Sequence, residues 1–102
     1  MKARYYRKGK AREPFLGYKN WFTWNLAMWL TGVEDNRVAC LLKARQHNGK
    51  LMPRECKRWI VDTVYPRGTP DMVNSREFGN VKWSEISKIV NDMYDQKSSE
   101  PR

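Results

Sequence analysis

The longest apolar stretch of the chain is Trp21–Val33, and its pattern is helical. Trp21, Trp24 and Met28 recur at i, i+3 and i+7 on one face, while Phe22, Leu26, Trp29 and Val33 fill an adjacent one. Apolar residues over most of the circumference predict a central, buried helix. Asn20 precedes it as N-cap, its side chain placed to accept from an unpaired helix N–H, and Gly32 is expected to end it. Asn25 lies inside this helix, where burial without a hydrogen-bonding partner costs about 1–3 kcal/mol. A second helix is predicted to begin at Glu34–Asn36, where acids suit the positive end of the helix dipole. Val38, Leu41, Leu42 and Arg45 give its period, and His47-Asn48-Gly49 reads as its stop.

A third helix begins at Pro53, which the first turn tolerates. Cys56, Trp59, Ile60 and Val64 mark its buried stripe and Pro66 its end. Residues 67–80 read as a long connection in which Thr69-Pro70-Asp71 can cap a short turn. The last helix runs from about Ser84 to Gln96 on Ile86, Ile89, Val90 and Met93, the cleanest 3.6-residue pattern in the chain, with Trp83 packing just before it. No segment sustains a two-residue alternation. The fold class expected is therefore all-α, a compact bundle of about four helices around a tryptophan-rich core. A flexible basic arm at 1–13 precedes the single helical domain at 14–96, and a frayed polar tail follows at 97–102.

Composition narrows the setting. A chain of 102 residues, 40% hydrophobic with five tryptophans, suits one folded domain and excludes a fully disordered chain. No apolar run is long enough to span a membrane, and the N-terminus lacks the apolar stretch of a secretory signal. Two cysteines are too few for a disulfide scaffold, so a cytoplasmic location is expected.

The formal charge of +9 is unevenly placed. Lys2, Arg4, Arg7, Lys8, Lys10, Arg12 and Lys19 face only Glu13 in the first nineteen residues, a net +6. Cations there can neutralise phosphates and release counterions. The interleaved Tyr5 and Tyr6 can stack on exposed bases, worth about 1–3 kcal/mol per base. The plain alternative is a solubilising tail. Phe15, Leu16 and Tyr18 are expected to dock the arm on the body. A smaller basic group, Arg54, Lys57 and Arg58, lies on the third helix, with Arg54 and Arg58 sharing a face at i, i+4. Lys43, Arg45 and Lys50 can extend it.

The run from Tyr18 to Leu30 carries Asn20-Trp21-Phe22-Thr23-Trp24-Asn25 and then Trp29. It resembles an N-W-x-T-W-N motif of a family of small phage- and plasmid-encoded proteins of unknown function. The Glu34-Asp35 pair, the Thr69-Pro70-Asp71 turn and Trp83-Ser84-Glu85-Ile86 also look similar to parts of that family. The resemblance implies a mobile-element protein, a setting in which small proteins often bind nucleic acid or a host enzyme. Read from the residues themselves, the motif is structural: Trp21 and Trp24 pack, Asn20 caps, and Thr23 or Asn25 bonds to backbone.

Little in the chain points to catalysis. His47 is the single histidine, and no metal-ligand spacing joins it to Cys40 or Cys56, which read as buried thiols. There is no phosphate-binding glycine loop. Asp92 and Asp95 read as a solvated helix face. The expectation is a non-enzymatic accessory protein of a mobile element that binds DNA or RNA, with no cofactor, metal, membrane or small-molecule substrate. The alternative is an inhibitor that binds a host protein acting on nucleic acid or in immunity.

Overall fold

The Trp21 run does form a helix, and three more follow it. In the computed structural model, which describes residues 11–98 and their side chains through 94, α1 spans Trp21–Gly32, α2 Glu34–Gln46, α3 Pro53–Trp59 and α4 Trp83–Ser98. A wider π-type turn, Ile60–Val64, prolongs α3, and a 3-10 helix occupies Ser75–Asn80. Among the described residues there is no strand, only the isolated bridge between Phe15 and Tyr18. The fold is the all-α bundle expected, and α4 packs against α1, α2 and α3 alike.

The core follows the helical periods. Trp21, Leu26 and Leu30 of α1, Ile60 after α3, and Ile86 and Val90 of α4 are fully buried. Trp21 is the one wholly enclosed tryptophan among the described residues. Trp24 stands 6.4 Å from it, ring to ring, and takes Phe15 at 4.9 Å on its outer side. Trp83 covers Phe78 at 5.6 Å and donates its indole N–H to the Phe78 carbonyl at 3.1 Å.

Several local expectations are corrected. Gly32 remains helical, and the break between α1 and α2 falls on Val33, whose extended backbone (φ −107, ψ 120) turns the chain. A β-branched residue is comfortable there. The packed side of α2 is Cys40 and Ala44, not the Val38/Leu42 row, which is 42% and 52% exposed. Small side chains let α2 lie close on its neighbours, and the bulkier row is left outside. Leu16 does not dock: Phe15 and Tyr18 exchange backbone hydrogen bonds of 3.0 and 2.9 Å across a two-residue turn. Leu16 (φ 47) and Gly17 (φ 88) form its tip, which leaves Leu16 69% exposed. The 67–80 connection is partly helical, because Asn74 accepts from the Arg76 N–H at 2.8 Å and caps the 3-10 segment that buries Phe78. α4 begins at Trp83 itself, one residue before the predicted start.

The two thiols behave as packing groups. Cys40 and Cys56 are free and fully buried, and burial pushes each thiol up to about 12. In the unfolded chain they ionise near the ordinary thiol value of about 8.5. Their contribution to stability is thus complete below that value and is lost as pH climbs toward the folded one. Unfolding free energy measured by urea is expected to fall above pH ~9, by as much as about 2.7 kcal/mol per pH unit when both thiols ionise only in the unfolded chain. Cys40→Ala with Cys56→Ala should flatten that alkaline limb. An unchanged limb in the double variant would remove the thiols as its cause.

Candidate functional site

The N-W-x-T-W-N residues are engaged in holding the fold. Asn20 uses both acceptor positions and both donors. Its Oδ1 accepts from the Thr23 N–H at 2.9 Å and the Thr23 hydroxyl at 2.8 Å. Its Nδ2 donates to the carbonyls of Ala11 at 2.8 Å and Asn80 at 2.7 Å. Thr23 Oγ1 in turn accepts from the Lys82 N–H at 2.9 Å. The start of α1 is thereby tied to the incoming chain and to the entry of α4. Farther along, Asn25 is fully buried. It donates to Asp71 Oδ2 at 2.8 Å and accepts from the Thr69 hydroxyl at 2.5 Å. Trp29 Nε1 donates to the same Asp71 oxygen at 2.8 Å. The motif and the Thr69-Pro70-Asp71 turn, far apart in sequence, are one hydrogen-bonded clamp. Of the two residues expected to bond to backbone, Thr23 does so through Lys82, while the side-chain partners of Asn25 are Asp71 and Thr69.

The cationic residues that the structure describes fall into two groups. Lys2, Arg4, Tyr5, Tyr6, Arg7, Lys8 and Lys10 lie outside the described residues. Arg12 and Lys19 are exposed at the N-terminal end of α1, where the Lys19 N–H donates to Glu85 near the start of α4 at 3.2 Å. The Arg54, Lys57 and Arg58 group sits toward the other end of α4. The chain just before α3 is pinned there by Leu51, whose N–H donates to Asn91 Oδ1 at 2.9 Å and whose carbonyl accepts from Asn91 Nδ2 at 3.0 Å.

The helical repeat builds the α3 group into a groove. Cys56 and Ile60 are buried, so the rows Arg54–Arg58–Asp62 and Glu55–Trp59–Thr63 face outward beside α2. Lys43 and His47, four apart on and just beyond α2, form the opposite wall. These eight residues enclose a groove of about 570 Å³. Lys43 Nζ lies 5.7 Å from the centre of the Trp59 ring, within cation–π range. His47 Nδ1 stands 3.9 Å from Glu55 Oε1, an oxygen that also accepts from the Met52 N–H at 3.0 Å. A shallower recess of about 320 Å³ on the far side of the same row is lined by Lys57 and Val61 with Arg54, Arg58 and Asp62.

Some of this was legible in sequence. The shared face of Arg54 and Arg58 is observed, and Lys43 joins it, whereas Arg45 and Lys50 do not line the groove. Trp59, expected only as core, is half-buried and forms part of the wall. His47, Glu55 and Asp62 were not assigned to a surface. The signal available was the four-residue spacing of Lys43 with His47 and of Glu55 with Trp59, but which face α3 turns outward depends on where α2 and α4 sit.

Among the described residues, no group of three His, Cys, Asp or Glu side chains is placed to hold a metal ion, and no helix is long and apolar enough to cross a membrane. The fold and the groove define a small basic helical domain with one surface of mixed cations, carboxylates and an indole. Comparison with protein families, with curated proteins and with solved structures finds no match, so the chemistry of this surface rests on its geometry.

Proposed function

We propose that this chain is a non-enzymatic accessory protein of a mobile element that binds nucleic acid. The observation that carries the reading is the α3 surface. Arg54, Lys57 and Arg58 are exposed, and their side chains make no ion pair with the described residues, although Glu55 and Asp62 lie on the same helix. Unpaired guanidinium and ammonium groups in a row are suited to successive phosphates, and the basic segment at 1–13 adds further cations in the sequence. The mobile-element setting rests on the resemblance carried by Asn20 to Asn25.

The test is fluorescence anisotropy with labelled DNA and RNA at low salt, on the full chain. Arg54→Ala/Lys57→Ala/Arg58→Ala is expected to weaken binding about tenfold or more while leaving thermal melting near that of the wild type, since none of the three packs in the core. Absence of binding to any nucleic acid would overturn the reading.

A second reading, an inhibitor that docks on a host protein, draws on the exposed Val38 and Leu42 of α2. A pull-down from nuclease-treated host lysate separates the two. Loss of every partner favours nucleic acid, and retention of one stoichiometric protein favours the inhibitor.

A further inference from the structure

We propose that the groove between α2 and α3 is a subsite for a single unpaired nucleotide, its base stacked on Trp59 and its phosphate held by Arg54 and Arg58, so that the protein prefers single strands to duplex. The proposal rests on the nucleic-acid reading above and specifies its substrate class.

Three features of the groove carry it. First, its size of about 570 Å³ falls in the range of about 300–1,000 Å³ typical of small-ligand sites, and it is concave. A duplex backbone is convex and can rest on a flat basic face without such a recess. Second, the half-buried Trp59 indole lines this space, and what lies over its ring, 5.7 Å from the centre, is Lys43 Nζ at the end of a flexible side chain that can swing aside. A base can take a place on the same ring, as bases do on aromatic platforms in single-strand binding. In a duplex the base faces are stacked on one another and cannot reach it. Third, the lining is mixed. A groove made for phosphate alone gains nothing from carboxylates, yet Glu55 and Asp62 stand among the cations. Carboxylates repel phosphate but accept hydrogen bonds from the amino groups of bases, as they do from cytosine N4. Cations for the phosphate, an indole for the base face and acids for its amino edge are together the polar pattern of one nucleotide. The carboxylates also favour amino-bearing bases over thymine or uracil.

The experiment compares a labelled short oligocytidylate, an oligothymidylate of equal length and a duplex at one salt concentration, using the full chain. Single strands are expected to bind about tenfold or more tighter than duplex, with oligocytidylate ahead of oligothymidylate. Trp59→Leu, which keeps apolar volume at the site, is expected to erase the single-strand preference while leaving duplex affinity within about twofold. A readout on the wild-type protein stands beside it: the Trp59 indole N–H resonance is expected to shift on adding oligocytidylate and to stay in place on adding inorganic polyphosphate. Equal affinity for duplex and single strand, a preference that survives in a folded Trp59→Leu protein, or an indole resonance moved equally by polyphosphate overturns the subsite while the broader reading stands. No binding to any of the oligonucleotides overturns both.

Discussion

Asn25→Leu is expected to destabilise the domain by about 3 kcal/mol or more, the largest effect of any polar substitution in the fold. The amide is fully buried and joins two partners from another part of the chain, Asp71 at 2.8 Å and Thr69 at 2.5 Å. Leucine has nearly the right volume, so the cost is not a cavity. It is the enclosed hydroxyl and the carboxylate left short of a donor, each costing about 1–3 kcal/mol and more where charge is involved. Asp71→Asn keeps an oxygen to accept from Asn25 and Trp29 and should cost less. Thr69→Val, which removes one donor and leaves the Asn25–Asp71 bond, should cost about 1 kcal/mol. Urea unfolding of the three variants reads this order directly. An Asn25→Leu protein within about 0.5 kcal/mol of the wild type would show that the clamp contributes nothing net. Because a typical domain is stable by only about 5–15 kcal/mol, the expected loss shifts a sizeable fraction of a marginal protein toward the unfolded state.

Deleting residues 1–10 is expected to change the salt dependence of nucleic-acid binding more than any point substitution. Lys2, Arg4, Arg7, Lys8 and Lys10 are removed together. If each neutralises one phosphate of a single strand, the slope of log K against log salt becomes shallower by about 3.5. Between about 50 and 200 mM salt the full chain should then lose about a hundredfold more affinity than the truncated one. The end point of the deletion matters. The Ala11 carbonyl accepts from Asn20 Nδ2 at 2.8 Å, so a cut that includes Ala11 would disturb the cap of α1, whereas a cut after Lys10 should leave the melting temperature close to that of the full chain. An unaltered slope would mean that the basic arm does not touch phosphate, and the α3 cations would then account for whatever binding is seen.

The net charge of the chain is thus two separate matters. Much of it belongs to the N-terminal segment, and the described body carries a smaller cationic surface on α3. Arg12 and Lys19 lie near the entry of α1, while the groove lies toward the part of α4 that holds Leu51 and Asn91. Glu85 and Asn91 are six residues apart on α4, about 9 Å along its axis. The two groups are thus anchored at separate points along α4. Combining the deletion with the α3 triple variant should give losses that nearly add in free energy when the two groups contact separate phosphates.

Periodicity alone determined the four α-helices. A helix apolar around most of its circumference has to be central, a stripe of Ile86, Ile89, Val90 and Met93 has to face a core, and Pro53 and the His47–Gly49 stop mark the start of α3 and the end of α2. The cap at Asn20 and the shared face of Arg54 and Arg58 were equally visible, because both are local: one concerns neighbours three residues on, the other neighbours four apart. Tertiary packing decided the rest. Val38 and Leu42 have the period of a buried row, yet α2 turns Cys40 and Ala44 inward because close approach to α4 favours small side chains. Asn25 needs partners that lie some forty-five residues away, and only the closure of the 67–74 segment over α1 supplies Asp71 and Thr69. The groove exists because α2 and α3 both pack on α4, which places Lys43 across from Trp59. Spacing within one helix says which residues share a face, but a wall made by two helices depends on how they pack, and that is settled by the whole core.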